Sequence, residues 1–235
     1  MTLRYQLLKH NLKKLANNRR ELLPGWSPTY FQRLGPIDLI IDVGVCYGTP
    51  ELYKAYPNSY LVLCEALPNF EITMQEILDV HGGGGEYHMC AVTDFDGALD
   101  FNVVVDDVRL SGHHQSLMDS KERKVVSVKA STLDSLIGST NLKLDEKVVL
   151  LKIDTEGGEL NVVRGAKETL KNCDFVVTET SIMKRHENSY QFAELISSMS
   201  DNGFELFDII TVTRKKSLFP GARIADCVFK RVDKN

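Results

Sequence analysis

The sequence predicts a doubly wound α/β domain whose mostly parallel sheet ends in an antiparallel hairpin. Two signatures, residues 40–48 and 150–159, each consist of a buried-strand run followed by an acid and glycine. Around them the chain alternates strand and helix patterns, which is typical of parallel sheets. The last two strands are joined only by residues 214–223. So short a link favours an antiparallel pair, because parallel neighbours need a long crossover.

Length and composition limit the classes of protein to which this chain can belong. A chain of 235 residues suits one α/β domain with a full core, which we place at residues 36–235. The net charge of −4 gives no general attraction to nucleic acid. The sequence shows no apolar run long enough for a transmembrane segment and no secretory signal. The five cysteines fit neither a zinc site nor a disulfide framework, so we expect a cytoplasmic protein with reduced thiols.

Residues 1–35 form a separate basic helical segment. Seven basic residues against one acid, Glu21, give it a local charge of 7 − 1 = +6. Leucines recur at helical spacing, which predicts an amphipathic helix that ends before Pro24 and Gly25. The helix could pack on the domain or on a second subunit in a homodimer. Alternatively, it could cover the site or contact an anionic partner or membrane surface.

From residue 38 onward, strands and helices alternate. Thr49 and Pro50 mark a helix start, with an N-cap hydroxyl and a proline at the first helical position. The most apolar strand, residues 147–154, should be central. We expect strands at residues 38–43, 60–65, 87–92, 147–154, 175–179, 204–213 and 224–232. We expect further helices at residues 68–80, 158–170 and 190–202, and a short one opening at residues 131–134.

Two stretches interrupt this rhythm. Residues 81–85 contain four consecutive glycines, which predict a flexible connector without the lysine and hydroxyl of a phosphate loop. Residues 97–129 contain two alternating segments, which are typical of paired, half-exposed strands. Between them lies a polar loop, residues 106–122, long enough to suggest a functional role or disorder.

The glycine turn after the first strand is the first candidate for ligand contact. Asp42 ends the strand, and Gly44 lets a ligand approach the backbone because it has no Cβ. Gly48 lies where the following helix packs back onto the strand. Cys46 occupies the second glycine position of the dinucleotide fingerprint, so the turn does not match that motif. Asp42, Gly44 and Gly48 are candidate cofactor-binding residues, and a purely structural junction is the alternative.

The ends of the second and third strands supply further candidates. Glu65 lies roughly twenty residues after the glycine turn, where an acid accepts hydrogen bonds from both hydroxyls of a ribose. Its alternative role is to cap the next helix. Ala91 and Val92 end the third strand, where an adenine ring could lie between apolar side chains. A core strand end is the alternative for these two residues.

The densest cluster of acids follows the most apolar strand. Asp154 ends that strand, and Glu156 and Glu159 follow in the turn and the first helical turn, where the helix dipole favours carboxylates. The dipole accounts for Glu159 but not for Asp154, which precedes the helix. Glu179 ends the neighbouring strand, so we expect Asp154 and Glu179 to face one crevice. Paired acids there could hold a substrate hydroxyl or bind Mg²⁺, although the sequence offers no further support for a metal.

Four stretches together resemble the FkbM-type family of S-adenosylmethionine (SAM)-dependent methyltransferases. They are residues 41–48, 64–68, 131–134 and 152–159, the last being the most specific. The resemblance covers about residues 37–179 and implies a Rossmann-like class I methyltransferase fold with seven strands and SAM as the cofactor. It also implies O-methylation, commonly of a sugar or polyketide-type hydroxyl. Cys46 stands where the family usually has asparagine, and Ala66 where it usually has proline.

We therefore expect a SAM-dependent O-methyltransferase acting on a hydroxyl of a sugar, a glycan or a related small molecule. Asp154 and Glu179 would shape the reacting pocket, and Asp154 would also contact the cofactor. The candidate general bases are His113, His114 and His186, and we place His114 in the long loop slightly ahead. One alternative is a catalytically inactive SAM-fold interaction module. The other is a nicotinamide-dependent oxidoreductase, which Cys46 and the terminal hairpin disfavour.

Overall fold

The computed structural model describes residues 25–104, 123–184, 189–214 and 221–232. The strands, numbered along the chain, are β1 (Leu39–Val43), β2 (Tyr60–Glu65), β3 (Gly85–Met89), β4 (Ala91–Val92), β5 (Gly97–Val104), β6 (Arg123–Ser131), β7 (Val149–Ile153), β8 (Phe175–Ser181), β9 (Phe204–Arg214) and β10 (Ala222–Arg231). The helices are α1 (Pro28–Gln32), α2 (Pro50–Ala55), α3 (Glu71–Val80), α4 (Leu133–Gly138), α5 (Glu159–Arg164), α6 (Lys167–Leu170) and α7 (Phe192–Asp201). A 3₁₀ turn at Pro68–Phe70 precedes α3.

Seven of the strands form a single, mostly parallel sheet. Their order is β3-β2-β1-β7-β8-β10-β9, and β10 is antiparallel to both of its neighbours. The predicted doubly wound sheet with a terminal antiparallel hairpin is therefore confirmed. Strand order reverses between β1 and β7, and ligands of open α/β sheets bind outside such a switch point.

Both faces of the sheet are covered. Strand β1 shows the division, because Leu39 and Ile41 belong to one buried cluster and Ile40 to the other. Helices α5 and α7 contribute to the first cluster, and α1, α2 and α3 to the second. All five residues of β7 are buried, as expected for the central strand.

Two predicted elements are divided in the structure. The expected strand 87–92 splits because the Cys90 N–H donates to the His88 carbonyl at 3.1 Å, a tight turn that redirects the chain. Strand β3 stays at the edge of the large sheet, whereas β4 joins a separate three-stranded sheet of order β4-β6-β5. The expected helix 158–170 breaks at Gly165, where a Cβ would lie 2.0 Å from the carbonyl oxygen of Thr93.

The predicted pairing of the two alternating segments is confirmed, since β5 and β6 are antiparallel. The connector of four glycines, in contrast, is not an open linker. A Cβ on Gly83 would lie 2.0 Å from the Ser59 carbonyl oxygen, and one on Gly85 would lie 2.4 Å from that of Leu61. These glycines therefore let the connector pack directly against the start of β2.

Residues 25–30 anchor the chain to the terminal hairpin. The Trp26 indole N–H donates to Asp226 at 2.7 Å, and the Tyr30 hydroxyl donates to Asp208 at 3.0 Å. The predicted basic helix before Gly25, the loop with His114, and His186 all lie outside the described residues. Among the helices that are described, none is both long and apolar enough to cross a bilayer.

Candidate functional site

A cleft opens at the carboxyl ends of the central strands, beside the switch point. Its volume is about 980 Å³ when the open mouth is included. The loops after β1, β2 and β7 form one side, and β4 and β5 form the other. The lining residues are Val43, Gly44, Cys46, Cys64, Glu65, Ala66, Leu67, Phe70, Cys90, Ala91, Val92, Thr93, Leu99, Phe101, Asp154, Thr155, Glu156, Gly158 and Asn161.

Gly44 joins the two central loops. Its φ of +81° is in the left-handed region, and a Cβ there would lie only 1.8 Å from the Asp154 carbonyl oxygen. Only glycine therefore fits between the β1 and β7 loops. Gly48 has a different role, because it does not line the cleft and a Cβ on it would lie 2.8 Å from the Ile77 side chain. Its absent side chain makes room for packing against α3.

Glu65 lines the cleft at the end of β2 and is only 8% exposed. One carboxylate oxygen accepts the backbone N–H groups of Ala66 at 2.8 Å and Leu67 at 3.0 Å. The other oxygen accepts the Cys46 N–H at 2.8 Å. Burial raises the pKa of Glu65, while these three N–H donors oppose the shift. The second oxygen retains lone-pair capacity for a ligand donor.

Cys46 lines the cleft next to Glu65. Its φ of +48° is unusual for a residue other than glycine, and asparagine adopts this conformation more readily. Burial, with a further contribution from the Glu65 carboxylate, raises the pKa of the thiol to about 11. The thiol is therefore protonated at neutral pH. The contribution of Cys46 to the site is its backbone N–H, which donates to Glu65.

Apolar side chains form the end of the cleft beyond Glu65. Ala91 and Val92, predicted from the third strand, lie in β4 and line the cleft. Phe101 and Leu99 of β5, together with Phe70, complete this wall. The three-stranded sheet thus supplies an apolar slot of the kind that a flat heterocycle occupies.

Asp42 lies behind the cleft wall rather than in it. The side chain is fully buried, and its carboxylate accepts hydrogen bonds from the hydroxyls of Thr49, at 3.0 Å, and Tyr53. The predicted N-cap hydroxyl of Thr49 is therefore used on Asp42 and makes no cap hydrogen bond. The other Asp42 oxygen lies 3.0 Å from the ammonium of Lys152, which is itself buried.

Three acids converge where β7 and β8 end: Asp154 and Glu156 line the cleft, and Glu179 of β8 lies beside them. Carboxylate oxygens of Asp154, Glu156 and Glu179 all lie within 4.8 Å of one another, so the structure brings the predicted pair together and adds Glu156. Asp154 is 38% exposed and lies 3.6 Å from the Lys152 ammonium. Such a cluster can accept hydrogen bonds from hydroxyl or ammonium groups, or coordinate a hard cation.

Glu159 has a larger role than the helix dipole assigns to it. It is fully buried, and one oxygen accepts the N–H of Gly157 at 2.8 Å and that of Thr155 at 3.3 Å. Its other oxygen accepts the Tyr190 hydroxyl at 2.8 Å. Tyr190 also accepts the N–H of Ser181, at the end of β8. Glu159 thus fixes the turn that carries Asp154 and Glu156.

Sequence reasoning missed the roles of Lys152 and Glu159. Lys152 had a visible signal, since it is the one charged residue within the apolar run of β7, and a buried lysine requires a partner. Glu159 had no such signal, because Tyr190 lies 31 positions away in the sequence.

Comparisons with known proteins point to one kind of enzyme. The sequence model of the methyltransferase FkbM domain matches residues 42–206. A protein named Methyltransferase 1 from Beauveria bassiana (strain ARSEF 2860) is 24% identical over 184 residues, which cover 70% of this chain and 71% of that protein.

Solved methyltransferase structures are also similar. Precorrin-6y C5,15-methyltransferase from Geobacter metallireducens GS-15 aligns at 9% identity with a TM-score of 0.47, covering 87% of this chain and 86% of its own. Magnesium protoporphyrin IX methyltransferase from Synechocystis PCC 6803, solved with bound SAM, aligns at 11% identity with a TM-score of 0.46. That alignment covers 86% of this chain and 75% of the other.

Proposed function

Because this chain belongs to the methyltransferase FkbM-domain family and is a SAM-dependent methyltransferase, we propose that it methylates a hydroxyl oxygen. The acceptor is a sugar, a glycan or a related small molecule. The observation that carries this proposal is the division of the cleft along the sheet: Glu65 and the apolar slot lie at the β2 end, and Asp154 and Glu156 lie at the β7 end with Glu179 of β8 beside them.

The hydrogen-bond acceptors and apolar side chains that line the cleft fit the cofactor. Glu65 can accept from ribose hydroxyls, and the wall with Ala91 and Val92 can hold an adenine ring. Gly44 lines the cleft with backbone alone, because it has no side chain. Asp154 can accept from the cofactor's ammonium group. Asp42 would act indirectly, through Lys152, since it does not line the cleft.

When bound, SAM supplies a methyl group on a positively charged sulfur that leaves as a neutral thioether. The protein's contribution is to hold the acceptor oxygen in line with that carbon–sulfur bond and to accept the hydroxyl proton. Asp154 and Glu179 would accept a hydrogen bond from the hydroxyl and orient it, a role that their proximity supports. A carboxylate, or His114 in the loop outside the described residues, would take the proton.

The acidic end allows a second reading of the same site. Asp154, Glu156 and Glu179 could share a divalent ion such as Mg²⁺, which would bind the acceptor hydroxyl and lower its pKa. Removal of metal distinguishes the two readings and is described with the Asp154 variant below.

Ligand binding and methyl transfer test the proposal in sequence. SAM and S-adenosylhomocysteine should each raise the melting temperature, whereas NAD should not. A ligand at 100 times its dissociation constant adds about 2.7 kcal/mol to the free energy of unfolding. Tritiated SAM should then label a panel of glycans and small polyols, with mass spectrometry locating the methyl group on oxygen. Stabilisation by NAD alone, or a methyl group found only on nitrogen or carbon, would contradict the proposal.

The free thiols support a proposal for the compartment. All five cysteines are free. Four of the five are buried, and we infer that the protein works in the reducing cytoplasm. Refolding and activity that do not depend on a reductant or an oxidant would agree with this assignment.

A further inference from the structure

Lys152 is a buried cation between the two loops that form the centre of the cleft. It is 4% exposed and lies on β7, directly beside Asp42 of β1 in the sheet register. Its ammonium donates to the Gly44 carbonyl oxygen at 3.0 Å. It also lies 3.0 Å from an Asp42 oxygen and 3.6 Å from an Asp154 oxygen. The contact with Gly44 is a hydrogen bond, and the contacts with Asp42 and Asp154 are ion pairs.

Stability alone is a weak reason for this arrangement. Burying two charges carries a desolvation penalty that often exceeds their attraction, and apolar residues of similar volume are frequently as stable. Two of the three partners, Gly44 and Asp154, line the cleft. Lys152 therefore connects the sheet interior to the two loops that any ligand in the cleft must contact.

Charge gives Lys152 a second effect. The described residues that line the cleft include Glu65, Asp154 and Glu156 but no lysine, arginine or histidine. Lys152, immediately behind the wall, offsets part of this negative charge. A negative site attracts the cationic sulfur of SAM more than the neutral sulfur of S-adenosylhomocysteine, and the cation behind the wall reduces that difference.

We infer that Lys152 is a positioning residue that holds Gly44 and Asp154 in their binding geometry and limits the preference of the site for the cofactor over its product. This inference rests on the proposed function, because it takes SAM as the ligand. The contacts of Lys152 with Gly44 and Asp154 affect the affinities for both ligands equally. The positive charge of Lys152 instead affects the ratio of the two affinities. The two effects can therefore be measured separately, without knowledge of the acceptor.

Calorimetric titration of SAM and S-adenosylhomocysteine into four proteins tests the inference. Lys152→Met should weaken both ligands by about tenfold or more and shift their affinity ratio by about three- to tenfold toward SAM. Lys152→Arg keeps the charge, so the ratio should stay at the wild-type value. Lys143→Met, on the exposed surface, is the matched control and should change neither quantity.

The double variant Asp42→Asn with Lys152→Met separates positioning from folding. Removing both charges should recover much of the thermal stability that Lys152→Met loses and return the ligand ratio toward wild type. Affinity for both ligands should nevertheless remain low, because Gly44 and Asp154 have lost their tether. A double variant with wild-type stability and wild-type affinities would overturn the inference. Wild-type protein that binds neither ligand would instead overturn the proposed function.

Discussion

At one end of the cleft Glu65 is buried and held by three backbone N–H groups, whereas at the other end Asp154 is only partly buried and pairs with the Lys152 ammonium. Backbone donors are set by the path of the chain and vary little when neighbouring side chains change. The acidic end depends on side chains from the turn after β7 and from the neighbouring strand β8. The first end therefore suits a ligand common to a family, and the second suits an acceptor specific to one protein.

The largest effect expected from this contrast is on chemistry at the acidic end. Asp154→Asn keeps the shape and removes the charge, so methyl transfer should fall by roughly a hundredfold or more while the fold survives. The measurement is initial rate with tritiated SAM and the acceptor identified by screening. Asp79→Asn, an exposed acid on α3, is the control and should keep the wild-type rate.

Metal removal sharpens the same experiment. Activity lost with EDTA and restored by Mg²⁺ would support a metal held by Asp154, Glu156 and Glu179, and indifference to EDTA would support direct hydrogen bonding. An Asp154→Asn protein with wild-type turnover and wild-type cofactor affinity would remove Asp154 from the site.

At the buried end the expected effect is on cofactor affinity. Glu65→Gln keeps an oxygen for Ala66 and Leu67 but places an NH₂ group against the Cys46 N–H. SAM affinity should fall by about 1.5–3 kcal/mol, because a charge-assisted contact is lost. Calorimetry measures this directly, with Glu76→Gln on the exposed side of α3 as the control. Glu65→Ala is a poorer test, since it leaves three N–H groups without their acceptor.

The pH dependence of binding tests the same residue. Burial raises the pKa of Glu65, so the folded protein holds this proton to a higher pH than the unfolded chain does. Its contribution to stability is therefore present below the unfolded pKa and lost as pH rises through the folded pKa. SAM binding requires the carboxylate, so affinity should fall as pH drops through the raised pKa. A Glu65→Gln titration as steep as that of the wild type would assign the dependence to another group.

The smallest effect should come from outside the cleft. Deleting residues 1–23 leaves Trp26 and its hydrogen bond to Asp226 intact. We expect the melting temperature to fall by a few degrees or an oligomer to dissociate, with SAM affinity unchanged. Calorimetry measures the melting temperature and the SAM affinity, and light scattering measures the oligomeric state. Lys13→Gln with Lys14→Gln keeps the leucines and should retain stability. A truncated protein with unaltered stability and assembly would mark the segment as a dispensable arm.

The sequence was sufficient to predict the location of a residue wherever that location depends only on the position of the residue along a strand. Glu65 ends β2 as predicted, and Asp154 and Glu179 meet because neighbouring parallel strands end at one edge. Periodicity and the short final link also predicted the terminal hairpin, which depends on local spacing.

The features that could not be predicted from the sequence depend on contacts between segments that are distant along the chain. At the helix break, Gly165 packs so closely against Thr93 that a Cβ would lie 2.0 Å from the Thr93 carbonyl oxygen, a contact that the sequence does not reveal. Asp42 occupies the sequence position expected of a ligand-binding acid. Its carboxylate lies behind the cleft wall, where it binds the hydroxyls of Thr49 and Tyr53 and pairs with Lys152. Strand-end position identifies which edge a residue occupies, whereas side-chain partners decide whether it reaches a ligand.

The fit of Gly44 against the Asp154 carbonyl limits how this protein can evolve. Any side chain at Gly44 would collide with the backbone of the loop that carries Asp154, so a substitution there disturbs both halves of the cleft at once. Compensation would require a new path for the β7 loop rather than one further substitution. New acceptor specificities should therefore arise by changes at the more exposed acidic end, and directed-evolution libraries are best concentrated there.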